Sequence, residues 1–282
     1  MKLAVSNIAW PPAFADRAYA LLQANGFTGL EVAPALILPA SADPFEPTPA
    51  EVSEALARAR HYGLTIISMQ SLLFGVDGAA LFLDQASRDR LERALERAID
   101  LAHRLEVPNL VFGSPRQRAY PPSMDYAEAE GIALDLFRRL GDRALAAGTR
   151  LAIEPNGRAY GTNFLNRVEE AASFVRRAGH PGVVLNFDIG ALHMEGDFDR
   201  ICAIAAATAD CIGHVHISEP QLAPAPVDVG QAATAFTALA DAGYTGWHSI
   251  EMAATSDPLV DLAKAVSNVR AAVLLAGLEV GA

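Results

Sequence analysis

Cysteine is scarce in this 282-residue chain. Cys202 and Cys211 are too few, and wrongly spaced, for a secreted disulfide framework or a Cys-x-x-Cys pair. The scarcity points to a reducing, cytoplasmic setting, and both cysteines, lacking the neighbours of an activated nucleophile, are expected to be small buried residues. No apolar run reaches the roughly 20 residues that cross a bilayer, so no membrane segment is expected. The N-terminal stretch carries one basic residue and an Ala-Phe-Ala, but Ser6, Asn7, Pro11 and Pro12 interrupt it, which argues against a signal peptide. Positive charge is short too: 22 Lys+Arg face 33 Asp+Glu, a formal net charge of −11. Nucleic acid is therefore a poor partner, because phosphate binding needs clustered cations. Also missing are a Gly-x-Ser-x-Gly elbow, a P-loop and, at Ser6-Asn7-Ile8-Ala9-Trp10, the glycine-rich turn of a dinucleotide site.

What is present is a chain with 51% hydrophobic residues, able to bury a large core. A prior of about 150 residues per domain allows two domains, whereas an α/β barrel of about 250 residues is one. Short β-type runs recur throughout: Lys2 to Ile8, Gly29 to Ala33, Leu64 to Ser71, Asn109 to Gly113, Arg150 to Glu154, Val183 to Asp188, Ile212 to Ser218 and Gly246 to Met252. Between them lie stretches with helical apolar spacing: Ala50 to His61, Arg88 to Leu105, Tyr126 to Ala147, Val168 to Ala178, Phe198 to Ala207, Ala232 to Ala242 and Leu259 to Leu275. Strand alternating with helix, without a linker or a composition break, predicts an α/β fold: a single (β/α)8 barrel domain over residues 1–282.

In such a barrel the active site lies at the C-terminal ends of the strands. Four consecutive runs end in acids or histidines: Glu154-Pro155-Asn156, Asn186-Phe187-Asp188, His214-Val215-His216-Ile217-Ser218-Glu219 and Ser249-Ile250-Glu251. A carboxylate at that depth is costly unless it is paired, hydrogen-bonded or metal-bound. The strand period of two turns His214, His216 and Ser218 to one face and Val215 and Ile217 to the other. It points Trp247, Ser249 and Glu251 inward and removes His248 from the site. Two Glu, one Asp and one His form an oxygen-rich ligand set suited to manganese, magnesium or cobalt.

With their order and spacing, the runs AIEP, FDIG, GHVHIS and GYTGWHSIEM resemble those of the xylose-isomerase-like TIM barrels, the sugar phosphate isomerase/epimerase group. The resemblance extends over the chain and is strongest from residue 150 to 252. It implies a divalent cation, manganese foremost with magnesium, cobalt or zinc as alternatives, on Glu154, Asp188, His216 and Glu251. It also implies a catalytic acid/base pair, Glu154 and Glu251, acting on a keto-sugar or sugar derivative through an enediolate. A homo-oligomer is compatible with the family. The same chemistry serves a metal-dependent dehydratase of an inosose or 3-dehydroshikimate type substrate, and a non-catalytic sugar-binding barrel is a further alternative. Two family positions differ. The histidine expected three residues after the metal-binding aspartate is Ala191, with His193 nearby, and the arginine expected six residues after the metal histidine is Leu222.

Further substrate-binding candidates are His193, His214, Arg116, Asn156, Glu31, Gln70 and Glu219. Arg116 and Arg118, in the loop after the fourth strand, suit a phosphate or carboxylate on the substrate. Arg158 is a further polar candidate, and Tyr160 and Trp10 are candidate apolar walls. His61, His103 and His180 read as structural.

Overall fold

The computed structural model describes residues 1–281. In chain order the strands are β1 (Lys2–Ser6), β2 (Gly29–Val32), β3 (Thr65–Met69), β4 (Leu110–Phe112), β5 (Leu151–Ile153), β6 (Val183–Asp188), β7 (Ile212–Ser218) and β8 (Trp247–Glu251). Neighbours pair in parallel around a closed barrel, and Lys2 to Val5 of β1 register with Trp247 to Ile250 of β8. The helices are α1 (Ala15–Ala24), α2 (Pro34–Ile37), α3 (Pro49–His61), α4 (Gln85–Arg104), α5 (Tyr126–Ala146), α6 (Val168–Ala178), α7 (Ile189–Glu195), α8 (Ile201–Thr208), α9 (Val229–Asp241) and α10 (Pro258–Leu275). The single (β/α)8 barrel expected from the alternation is the fold. Among the described residues no helix is long and apolar enough to cross a membrane.

Local chemistry sets the element boundaries. α3 starts at a Thr48/Glu51 capping box with Pro49 in its first turn, while Asp84, Asp125 and Asp228 cap α4, α5 and α9. β1 ends early, at Ser6, in a 3-10 turn over Asn7–Ala9. The helix α1 is absent from the expected stretches. Its buried face is Ala15, Ala18, Tyr19 and Leu22, a helical spacing carried half by alanines and so faint in hydropathy. Cys211 is buried as expected, whereas Cys202 is exposed on α8, which corrects the expectation that both are buried.

The barrel interior is stacked in layers. At its N-terminal end the Trp247 ring lies against β1 and β2 so closely that a Cβ on Gly29 would sit 2.7 Å from both the ring and the Ala4 methyl group. Above it the interior is polar, with Ser6, Glu31, Ser68, His214, His216 and Ser249 all buried. His248 faces the other way and packs edge-on against Tyr244 and against Phe236 of α9.

Candidate metal centre and active site

Consecutive parallel strands deliver four side chains to one point at the C-terminal end of the barrel. Glu154 follows β5, Asp188 ends β6, His216 lies in β7 opposite Asp188, and Glu251 ends β8 opposite Ser218. Their ligand atoms all lie within 4.8 Å of one another, and all four residues are buried. His216 Nδ1 is 2.8 Å from Glu154 Oε1, 3.3 Å from Glu251 Oε2 and 3.7 Å from Asp188 Oδ2. It forms no hydrogen bond with any of them. An unpartnered buried nitrogen ringed by three carboxylates is what a divalent cation would satisfy, and the one-imidazole, three-carboxylate donor set fits a hard or borderline metal.

The opposite nitrogen of His216, Nε2, is 3.1 Å from Glu31 Oε2, and His214 Nε2 reaches the same oxygen at 3.1 Å. Gln70 Nε2 donates to Glu31 Oε1 and to Ser6 Oγ. Glu31 thus fixes the tautomer that leaves Nδ1 of His216 facing the cluster, the arrangement by which a carboxylate orients a metal-binding histidine. Burial opposes ionisation of Glu31, but the charges and hydrogen bonds of His216 and His214 outweigh it and hold the carboxyl far below its ordinary range. Burial likewise disfavours the His216 imidazolium, and Glu31, Glu251, Asp188 and Glu154 overcome it, raising His216 well above the usual histidine value.

The two glutamates differ. Glu154 Oε1 accepts from Asn186 Nδ2 at 2.8 Å, and Oε2 accepts from Asn156 Nδ2 at 2.9 Å. Asn156 Oδ1 in turn accepts from Arg118 at 2.9 Å. Against burial, His216, the Asn156 amide and the Arg118 charge lower the Glu154 pKa. Glu251 is pushed up to about 7, chiefly by burial, with the neighbouring Glu154 and Asp188 charges adding to it. Asp188 is raised by burial and by Glu154, although Ser218 Oγ and the Ala191 amide donate to it. Gly113 is a steric requirement here, since a Cβ on it would lie 2.3 Å from Glu154 Oε2.

Above the cluster is a cavity of about 370 Å³. Of the sequence candidates, Glu154, Asp188, Glu251, Gln70, Asn156, Glu219 and Tyr160 line it. Glu31 and His214 are sealed beneath it, so their expected substrate contacts are replaced by support of His216. His193 is turned away and stacks on Phe198, with ring centroids 4.3 Å apart. This segment, outside the expected helical stretches, is the helix α7, capped by Asp188 itself, on which Ala191 and Met194 share the cavity face while His193 lies roughly 200° round from Ala191. Arg116 is exposed and Gln117 faces the cavity instead. Arg118 is fully buried and holds Asn156, which corrects its reading as an anion-binding group. Arg158 pairs with Glu195, and Trp10 is buried against Tyr19.

Residues not anticipated for the site are Asn186, Gly113, Gln117 and Met194. Asn186 had a readable signal, since it lies two residues before Asp188 on the same strand face. Arg118 is turned inward by a 3-10 turn over Pro115–Arg118 that follows Ser114 in a left-handed conformation (φ 45°), and no sequence period encodes that.

In sequence, the xylose isomerase-like TIM barrel pattern matches residues 19–272. None of the curated proteins matches the chain. Among solved structures, a D-psicose 3-epimerase crystallised in the presence of D-fructose is similar at 19% identity, with 98% of this chain and 100% of that chain covered and a TM-score of 0.75. An L-ribulose 3-epimerase is similar at 19% identity, with coverages of 98% and 94% and a TM-score of 0.76. A 3-keto-D-glucoside 4-epimerase from E. coli is similar at 19% identity, with coverages of 96% and 99% and a TM-score of 0.75.

Proposed function

The chain belongs to the xylose isomerase-like TIM barrel family, and we propose that it is a divalent-metal-dependent isomerase or epimerase of a keto-sugar or sugar derivative. The observation that carries this reading is the convergence of Glu154, Asp188, His216 and Glu251 within 4.8 Å on the floor of a cavity. These four residues would hold the cation, manganese foremost. When bound, it supplies Lewis-acid polarisation of a carbonyl and its neighbouring hydroxyl.

The chain's own groups move the proton. One of Glu154 and Glu251 takes the proton from the C–H beside the carbonyl, and the electron pair passes to the carbonyl oxygen to give an enediolate. The other returns a proton to the opposite face, inverting the centre, and the roles exchange when the reaction runs backward. Asn156 and Asn186 keep Glu154 in place, and Glu31 orients His216. Gln70, Gln117 and Asn156 offer amides to substrate hydroxyls.

The test is incubation of candidate keto-sugars in deuterated water. Uptake of deuterium at the carbon beside the carbonyl, lost after exhaustive chelation and restored by manganese, is the expected result. Full exchange in the chelated protein would refute metal dependence. Loss of the mass of water instead of exchange would identify the dehydratase.

A further inference from the structure

Resting on that reading, we propose that the substrate is an uncharged ring-keto glycoside whose apolar aglycone lies on the rim formed by Leu73, Phe74, Met194 and Leu222. Charge is the first argument. Among the described residues, the cavity is lined by four carboxylates, Glu154, Asp188, Glu219 and Glu251, and by no lysine, arginine or histidine. A single divalent cation would leave this lining negative, so a phosphate or carboxylate on the substrate would meet like charge with no counter-ion. The arginines of the loop after β4 do not supply one, because Arg116 points to solvent and Arg118 is sealed behind Asn156.

Size and polarity are the second argument. The cavity of 370 Å³ corresponds to about twelve water volumes. The bonded atoms of one monosaccharide pack closer than separate waters and leave part of it vacant. Beside the polar Gln70, Ser71, Ser114, Gln117, Tyr160 and Ser218, the lining carries an apolar stretch of Leu73, Phe74, Ala191, Met194 and Leu222. Ala191 and Leu222, the two positions where the resemblance leads one to expect a histidine and an arginine, both line the cavity with hydrocarbon, and Phe74 at the mouth is 68% exposed.

The backbone is strained to hold this wall. Ser71, which precedes Leu72, Leu73 and Phe74, has φ 59°, and Gln221 and Leu222 have φ 60° and 55° in succession. Such left-handed conformations are strained outside glycine, and they persist where the surroundings fix them. Here the Gln221 amide donates to Tyr160 Oη, and the Leu222 carbonyl accepts from Ala253, each at 2.8 Å. A glycosidic bond blocks the anomeric carbon, so the ketone required for proton exchange must lie elsewhere on the ring.

The test compares three probes on the manganese-loaded protein by deuterium exchange: phenyl 3-keto-β-D-glucopyranoside, its methyl counterpart, and the 6-phosphate of 3-keto-glucose. The phenyl compound is expected to exceed the methyl by about tenfold in kcat/KM, and the phosphate to be about a hundredfold poorer than the methyl. Phe74→Ala should lower the phenyl-to-methyl ratio, mainly through KM. A ratio of one, a ratio indifferent to Phe74→Ala, or a phosphate processed as well as the methyl compound overturns the proposal while the keto-sugar reading stands. No exchange with these probes or with any free keto-sugar overturns both.

Discussion

The β5 and β8 sides of the candidate metal centre present the same carboxylate in opposite settings. Glu154 is tethered at both oxygens by asparagine amides, one of them backed by a buried arginine. Glu251 Oε2 lies 3.3 Å from His216 Nδ1 with no amide donor among the described residues, and the Ser249 hydroxyl two residues before it has no partner among them. One side is therefore held in charge and position by donors, while the other is held by burial and stays easy to protonate. A pair of identical side chains thereby becomes asymmetric, which suits a reaction that needs one proton acceptor and one donor.

Replacing each glutamate by glutamine breaks the comparison most directly. Both Glu154→Gln and Glu251→Gln should reduce deuterium exchange by at least about a thousandfold. Their folding should differ. A glutamine at 154 sets an NH₂ group against asparagine donors, costing about 1–3 kcal/mol, whereas Glu251→Gln meets no such donor. Thermal scans should place the metal-free Glu154→Gln protein several degrees below Glu251→Gln, and equal Tm values would show that the tethers do not matter.

Arg118→Met tests the tether at its root. Two guanidinium nitrogens of Arg118, Nε and Nη1, are buried without partners, so an apolar side chain of similar length should hold or raise Tm. Asn156 would then be free to turn, and manganese affinity measured by calorimetric titration should fall about tenfold to a hundredfold. Unchanged affinity would confine Arg118 to packing.

The pH dependence sharpens the β8 side. Glu251 is pushed up to about 7 in the metal-free protein. A carboxyl whose folded pKa is raised favours the fold below its ordinary pKa, and that contribution is lost as pH rises through the folded value. Between about pH 5 and pH 7, metal-free stability should thus fall more for the native chain than for Glu251→Gln, as read by denaturant titration. Parallel curves would contradict it. The smallest effect belongs to a histidine outside both sides. Because His193 stacks on Phe198, His193→Ala should leave kcat/KM within about twofold, and a tenfold loss would return it to the cavity.

The order and inward faces of the strands were legible because period two is written in residue types. The pattern of His214, His216 and Ser218 against Val215 and Ile217 separates ligand from packing residues, and it sends His248 outward. What stayed hidden depended on local backbone conformation. Three residues after Asp188 the chain is helical rather than looped, so Ala191 faces the cavity and His193 does not. A left-handed Ser114 turns Arg118 into the interior. Glu31 reads in the sequence as a substrate-binding candidate, but its place beneath two histidines is set by the closure of the barrel, which brings together residues 185 positions apart.

The Trp247 ring packed over Gly29 at the other end of the barrel gives the molecule a direction in time. Among the described residues the interior is buried from that layer up to His216, and the cavity above the cluster is the approach to it. On the proposed function, an ion held there would enter before the sugar and leave after the product. Excess sugar should slow the escape of the ion to a chelator in proportion to site occupancy.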